Sequence, residues 1–118
     1  MTALPLTPLE QHIVQRIAQH AAQQPAALRL WVFGSRARGD SDEASDLDLA
    51  IEFDAAESPA LRAWIDDVRR EVEEPLLGYR PGLVDLLGLF AGDADPRLAT
   101  QVRADGQPVW QRAAAVIA

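Results

Sequence analysis

The segment Asp46 to Phe53 (DLDLAIEF) alternates polar with apolar residues. That period of two belongs to a half-buried strand, whereas a helix repeats its apolar positions every three or four residues. Asp46, Asp48 and Ala50 then share one face, and Leu47, Leu49 and Ile51 the other. Two further runs read as strands: Leu28 to Phe33 (LRLWVF), stopped abruptly by Gly34-Ser35, and Leu83 to Phe90 (LVDLLGLF), nearly all apolar and interrupted by Asp85. Helices fill the intervals. Thr7, Pro8 and Glu10 form a capping box ahead of Leu9, Ile13 and Ile17, and Pro25 ends that element. Ser58-Pro59 opens a helix through Leu61, Trp64, Ile65, Val68 and Val72 that Pro75 closes, with Asp66, Asp67, Arg69, Arg70, Glu71 and Glu73 on a solvated face. A last helix spans about Pro96 to Ala104, followed by a short Pro108-Val109-Trp110 segment. Three short strands alternating with helices predict an α+β fold, a sheet of three or slightly more strands covered by helices.

The chain has 118 residues, which predicts one domain over residues 1–118 with 113–118 as a flexible tail. Its eleven basic residues are all arginine and stand against 18 acidic ones, a net charge of −7. Sequence-independent nucleic-acid affinity comes from clustered Lys and Arg, so direct nucleic-acid binding is not expected. Without cysteine there are no disulfides, thiolate nucleophiles or Cys-ligated zinc. No apolar run approaches the ~18 residues of a membrane span and no signal-peptide pattern opens the chain, so a cytoplasmic protein is expected.

The chemistry concentrates in Phe33-Gly34-Ser35-Arg36-Ala37-Arg38-Gly39-Asp40-Ser41, followed by Ser45-Asp46-Leu47-Asp48-Leu49. A strand that leaves through Gly-Ser presents backbone N–H groups and a hydroxyl to a phosphate oxygen. Asp46 and Asp48, two apart on a strand, project to one side about 6.5–7 Å apart, close enough to share a pair of divalent cations. Hard oxygen donors of this kind suit Mg²⁺ held jointly with nucleotide phosphates. Asp85, set among leucines, either points to a polar site or is buried at a cost of several kcal/mol unless paired. Between Asp40 and Glu57 there are eight carboxylates and no basic residue, and a cation would balance them economically. Taken singly, a Gly-Ser turn is ordinary punctuation and alternating aspartates are ordinary strand edge; together they describe a metal-assisted phosphoryl or nucleotidyl transfer site. His12 and His20, eight apart, are too far separated for a helical metal pair and are expected to face solvent. Trp31, Trp64 and Trp110 are expected to anchor core or interface.

Gly34-Ser35, ten residues, then Asp46-Leu47-Asp48 resembles the signature of the DNA polymerase beta-like nucleotidyltransferase superfamily. Gly34 to Gly39 (GSRARG) and Ser45 to Leu49 (SDLDL) resemble its minimal nucleotidyltransferase (MNT, MntA-like) branch, and the order of elements follows that family over essentially the whole chain. The resemblance implies a minimal nucleotidyltransferase fold with a small mixed sheet. It implies that Asp46 and Asp48 bind two Mg²⁺ ions, that Asp85 completes the site as ligand or base, and that Gly34, Ser35, Arg36, Arg38 and Ser45 contact ATP. It further implies an antitoxin whose partner is a HEPN-domain (HepT-like) ribonuclease toxin, with which it forms a hetero-oligomer and to whose tyrosine it transfers AMP. Two other readings stand beside it: an antitoxin that neutralises by binding alone, and a nucleotidyltransferase acting on a small, antibiotic-type acceptor.

Overall fold

The computed structural model describes residues 6–34, 37, 47–73, 84–92 and 97–113. Helix α1 (Pro8–Gln23) begins as its sequence dictates: Thr7 Oγ1 accepts from the Glu10 amide at 3.1 Å, and Glu10 Oε1 accepts from the Thr7 amide at 2.9 Å. It ends two residues before Pro25. Strands β1 (Ala27–Phe33) and β2 (Leu47–Phe53) follow, then α2 (Pro59–Glu73), β3 (Val84–Leu89), α3 (Arg97–Asp105) and β4 (Gln107–Gln111). Among the described residues this makes three helices and four strands, an α+β chain with sheet order β3-β2-β1-β4.

β1 pairs antiparallel with β2 and β4, whereas β2 and β3 run parallel and are joined through α2. The sheet is therefore mixed. Its fourth strand contains the Pro108-Val109-Trp110 segment, which has too little alternation to announce itself. β4 lies at the sheet's edge, where Pro108 is tolerated because a missing N–H there breaks no central ladder. The remaining boundaries agree with the sequence reading to within one residue, and Asp46, Pro75, Leu83 and Pro96 lie outside the described residues.

The main core fills one face of the sheet. Leu30 and Val32 of β1, Leu47, Leu49 and Ile51 of β2, and Val84 and Leu86 of β3 pack against Ile13 and Ile17 of α1 and Ile65, Val68 and Val72 of α2. Gly88 of β3 also lies here, and a methyl at its Cα would meet the Phe90 ring at 2.6 Å and Ile65 Cδ1 at 2.9 Å. Phe90 in turn stacks on Phe53, with centroids 5.1 Å apart. The outer surfaces of α1 and α2 depart from expectation at one place. His12 is exposed, but His20 lies 3.3 Å from Glu71, which Arg16 also approaches at 3.3 Å, so the solvated face of α2 reaches back to α1.

Arg112, just past β4, ties the sheet edge to α1. A helix leaves its last carbonyls without intrahelical donors, and the Arg112 guanidinium reaches them. Nη2 donates to the carbonyls of Ala21 at 3.2 Å and Gln24 at 2.7 Å, and Nε donates to that of Ala27 at 2.9 Å. Its backbone N–H donates to Leu28 O at 2.8 Å. Arg112→Ala is expected to lower stability by about 2–3 kcal/mol, the range for losing charge-assisted hydrogen bonds. Arg112→Lys should restore less than half of that in urea denaturation, because an ammonium lacks the planar fork.

Candidate functional site

The second face of the sheet is built differently. Strand alternation places Arg29, Trp31 and Phe33 of β1, Asp48, Ala50 and Glu52 of β2, and Asp85, Leu87 and Leu89 of β3 on this side. Only α3 packs on it among the described helices: its fully buried Val102 joins Phe33, Ala50 and Leu89, with Trp31, Leu87, Leu98 and Ala99 half-buried around them. This cover runs from Phe33 of β1 across Ala50 of β2 to Leu89 of β3. At one end the register sets Phe33, Asp48 and Asp85 in a row across β1, β2 and β3.

Adjacent strands lie about 4.8 Å apart, so Asp48 and Asp85 are neighbours on one face. Asp48 is half-buried and Asp85 is exposed. Asp85 therefore carries no burial penalty of the kind its leucine-rich setting suggested, because the strand turns it to the open end. Gly34 follows Phe33 with φ of +72°, in the left-handed region that a residue with a side chain rarely adopts. The Asp48 carboxylate occupies the space a side chain there would need: a methyl at Gly34 would lie 3.1 Å from Asp48 Cγ and 3.3 Å from Asp48 Cβ, with Oδ2 nearer still. This contact joins the β1 turn to the β2 carboxylate, and no spacing rule in the sequence predicts it.

Of the predicted site residues, the structure thus gathers Gly34, Asp48 and Asp85 at one end of the second face. Ser35, Arg36, Arg38, Ser45 and Asp46 lie outside the described residues. No group of three or more metal-ligating side chains assembles among the described residues, two carboxylates being what they contribute here. Both are hard oxygen donors open to one side, a set that fits Mg²⁺ shared with phosphate oxygens and does not fit a soft metal.

The acidic stretch from Asp40 to Glu57 is not balanced by a cation at every point. Glu52, at the far end of the same β2 face, accepts from Arg29 Nη1 at 3.0 Å and from Trp31 Nε1 at 3.1 Å. Glu57 accepts from Arg62 Nε at 2.9 Å, and that hydrogen bond holds its carboxyl below the usual carboxylate range. Arginines from the flanking strand and helix supply these counter-charges. A count made inside the stretch alone misses them.

The family model described as "Polymerase beta, Nucleotidyltransferase" matches residues 15–115. No curated protein matches the chain. Among solved structures, a chain assigned as a minimal nucleotidyltransferase is 31% identical, with a TM-score of 0.54 over 89% of this chain and 99% of that one. A toxin–antitoxin complex with AMP-PNP gives a TM-score of 0.61 at 21% identity, over 82% of this chain and 72% of that one. A tri-AMPylated HEPN toxin from Shewanella oneidensis in complex with an MNT antitoxin gives 0.56 at 19% identity, over 87% and 70%. At these lower identities the likeness is one of fold. No helix among the described residues is long and apolar enough to cross a membrane.

Because Asp85 is exposed and not part of the core, Asp85→Asn is expected to cost less than about 0.5 kcal/mol of stability, and to gain about 1 kcal/mol where it relieves like-charge repulsion from Asp48. Matched denaturation curves test this, and a loss above 2 kcal/mol would mean that its carboxylate has a structural partner.

Proposed function

From a chain that belongs to the polymerase beta nucleotidyltransferase family, we propose a Mg²⁺-dependent protein adenylyltransferase that acts as an antitoxin. It takes AMP from ATP and attaches it to a tyrosine of a HEPN-domain ribonuclease. The observation that carries the reading is the row in which half-buried Asp48 lies beside exposed Asp85, next to the Gly34 turn.

In this reaction the tyrosine oxygen forms a bond to the α-phosphorus of ATP, the bond from that phosphorus to the α,β-bridging oxygen breaks, and pyrophosphate leaves. The phenolic proton must go to a base, and Asp85, exposed and adjacent to Asp48, is the described group suited to accept it. Asp46 and Asp48 would hold the metal ions, with Asp85 as the third oxygen donor. Two Mg²⁺ ions supply neutralisation of the charge that develops on the attacking and leaving oxygens. Gly34 and Ser35 would receive the phosphates, with Arg36, Arg38 and Ser45 contributing from the same loop.

A nucleotide on the toxin would add negative charge and bulk where RNA phosphates must enter. The net charge of −7 supports association with a basic ribonuclease, since complementary charge raises the encounter rate. The matches to a complex with AMP-PNP and to one with an AMPylated toxin support the nucleotide and the class of acceptor.

Intact mass spectrometry of the candidate toxin after incubation with this protein, Mg²⁺ and ATP tests the proposal. A gain of about 329 Da per transferred AMP is expected from the covalent chemistry. Asp48→Asn should reduce transfer at least about 100-fold, because ion-mediated charge stabilisation is worth several kcal/mol. A toxin silenced in a stable complex without any mass gain would replace the transferase with an antitoxin that acts by contact.

A further inference from the structure

Gly34 meets two demands that are usually separate, and the second bears on Asp48. Its positive φ lets β1 turn away from the sheet directly after Phe33. Any residue that tolerates the left-handed region, asparagine among them, could meet that first demand. The second concerns space. Phe33 is the cross-strand partner of Asp48, so residue 34 is the first position beyond the pair, and the Asp48 side chain lies over its Cα. Three atoms of that side chain, Cβ, Cγ and Oδ2, would meet a methyl at position 34. A collision confined to Oδ2 could be relieved by a small twist of the carboxylate. The contacts to Cγ at 3.1 Å and Cβ at 3.3 Å ask the rest of the side chain to give by a few tenths of an ångström as well, so the carboxylate is displaced as a unit and not only twisted.

Resting on the nucleotidyltransferase reading above, we propose that Gly34 is a positioning residue for Asp48: its bare Cα is the seat that fixes where the Asp48 carboxylate presents its oxygens to a divalent cation. This differs from a glycine that merely lets a phosphate approach the backbone. A phosphate contact of Gly34 governs nucleotide affinity directly. A seat acts through Asp48, so that part of the loss should vanish once the Asp48 carboxylate is gone.

The test pairs Gly34→Ala with Asp48→Ala in a double-mutant cycle. Two readouts are used: Mn²⁺ affinity in the presence of AMP-PNP, followed by electron paramagnetic resonance, and ATP binding in EDTA by calorimetry. Gly34→Ala is expected to weaken Mn²⁺ binding about tenfold or more in the wild-type background and less than about twofold in the Asp48→Ala background. ATP binding in EDTA, which includes any phosphate contact of Gly34 itself, should change by the same factor in both backgrounds. An equal loss of Mn²⁺ affinity in both backgrounds overturns the seat and leaves Gly34 as a phosphate contact alone.

Gly34→Asn keeps the left-handed backbone accessible while still carrying a Cβ, so it should reproduce the Mn²⁺ defect even if Gly34→Ala folds poorly. Should the wild-type protein bind no Mn²⁺ with nucleotide, the functional reading fails, and thermal melts of the same variants still decide the seat. Gly34→Asn should lower the melting midpoint by roughly 4–8 °C, and by at most half as much in the Asp48→Ala background. Equal drops in both backgrounds would show that the carboxylate does not rest there.

Discussion

The register of β2 is the constraint on which the rest of the molecule depends. Leu47, Leu49 and Ile51 are fully buried on the main core, while Asp48, Ala50 and Glu52 alternate with them on the other face. A slip of one residue would turn the leucines and isoleucine outward and drive two carboxylates into the core. Each apolar side chain so exposed forfeits about 1.5–3 kcal/mol, and each unpaired buried charge costs several more. No local preference of the site could oppose terms of that size. The core therefore decides where Asp48 points, and parallel pairing with β3 then brings Asp85 beside it.

The three second-face residues of β2 pass through three environments within a few residues. Asp48 stands half-buried beside Asp85, Ala50 is fully buried under α3, and Glu52 is neutralised by Arg29 and hydrogen-bonded by the Trp31 indole. The short α3 helix makes this division. It offers Val102 as its buried residue, packed with Phe33, Ala50 and Leu89, while Asp48 stays half-buried and Asp85 exposed. A longer or more apolar helix would gain burial there and, on the proposed reading, would close the end at which a nucleotide enters. Thin cover on this face and full cover on the other follow from one division of labour. α1 and α2 supply the packing that holds the sheet, and α3 leaves room.

Much of this was legible in the sequence because the relevant signals are local. The capping box at Thr7, the alternation in β2, Pro59 at the start of α2 and the glycine at the end of β1 each state their structure within a few residues, and the elements agree to within a residue or so. What the sequence hid depends on contacts between distant segments. β4 is short, contains Pro108 and becomes a strand through its pairing with β1. Asp85 looked costly among leucines, and only the register shows that it faces outward. Arg29, Arg62 and Arg112 find their partners across 23, 5 and 85 residues respectively, and none of these pairings carries a motif. The Asp48 contact with Gly34 belongs to the same class: its two halves are conspicuous in the sequence, and their meeting is a matter of three dimensions.

The row of carboxylates is itself an electrostatic argument about what the end of the sheet is for. Two like charges about 5 Å apart repel by about 0.8 kcal/mol in water and about 3 kcal/mol at the effective dielectric of a protein surface. Like charges directly opposite one another on neighbouring strands are accordingly destabilising. Nothing in the packing of the main core requires Asp48 or Asp85, since the residues that alternate with them do that work. On the proposed reading, a carboxylate pair of this kind gains from a bound cation what its repulsion costs. A divalent cation shared with a phosphate would convert the repulsion into attraction at both oxygen donors and would stabilise the folded chain by its own binding free energy. On the proposed reading, the packing that holds the sheet and the groups that carry the chemistry fall on opposite faces of one strand.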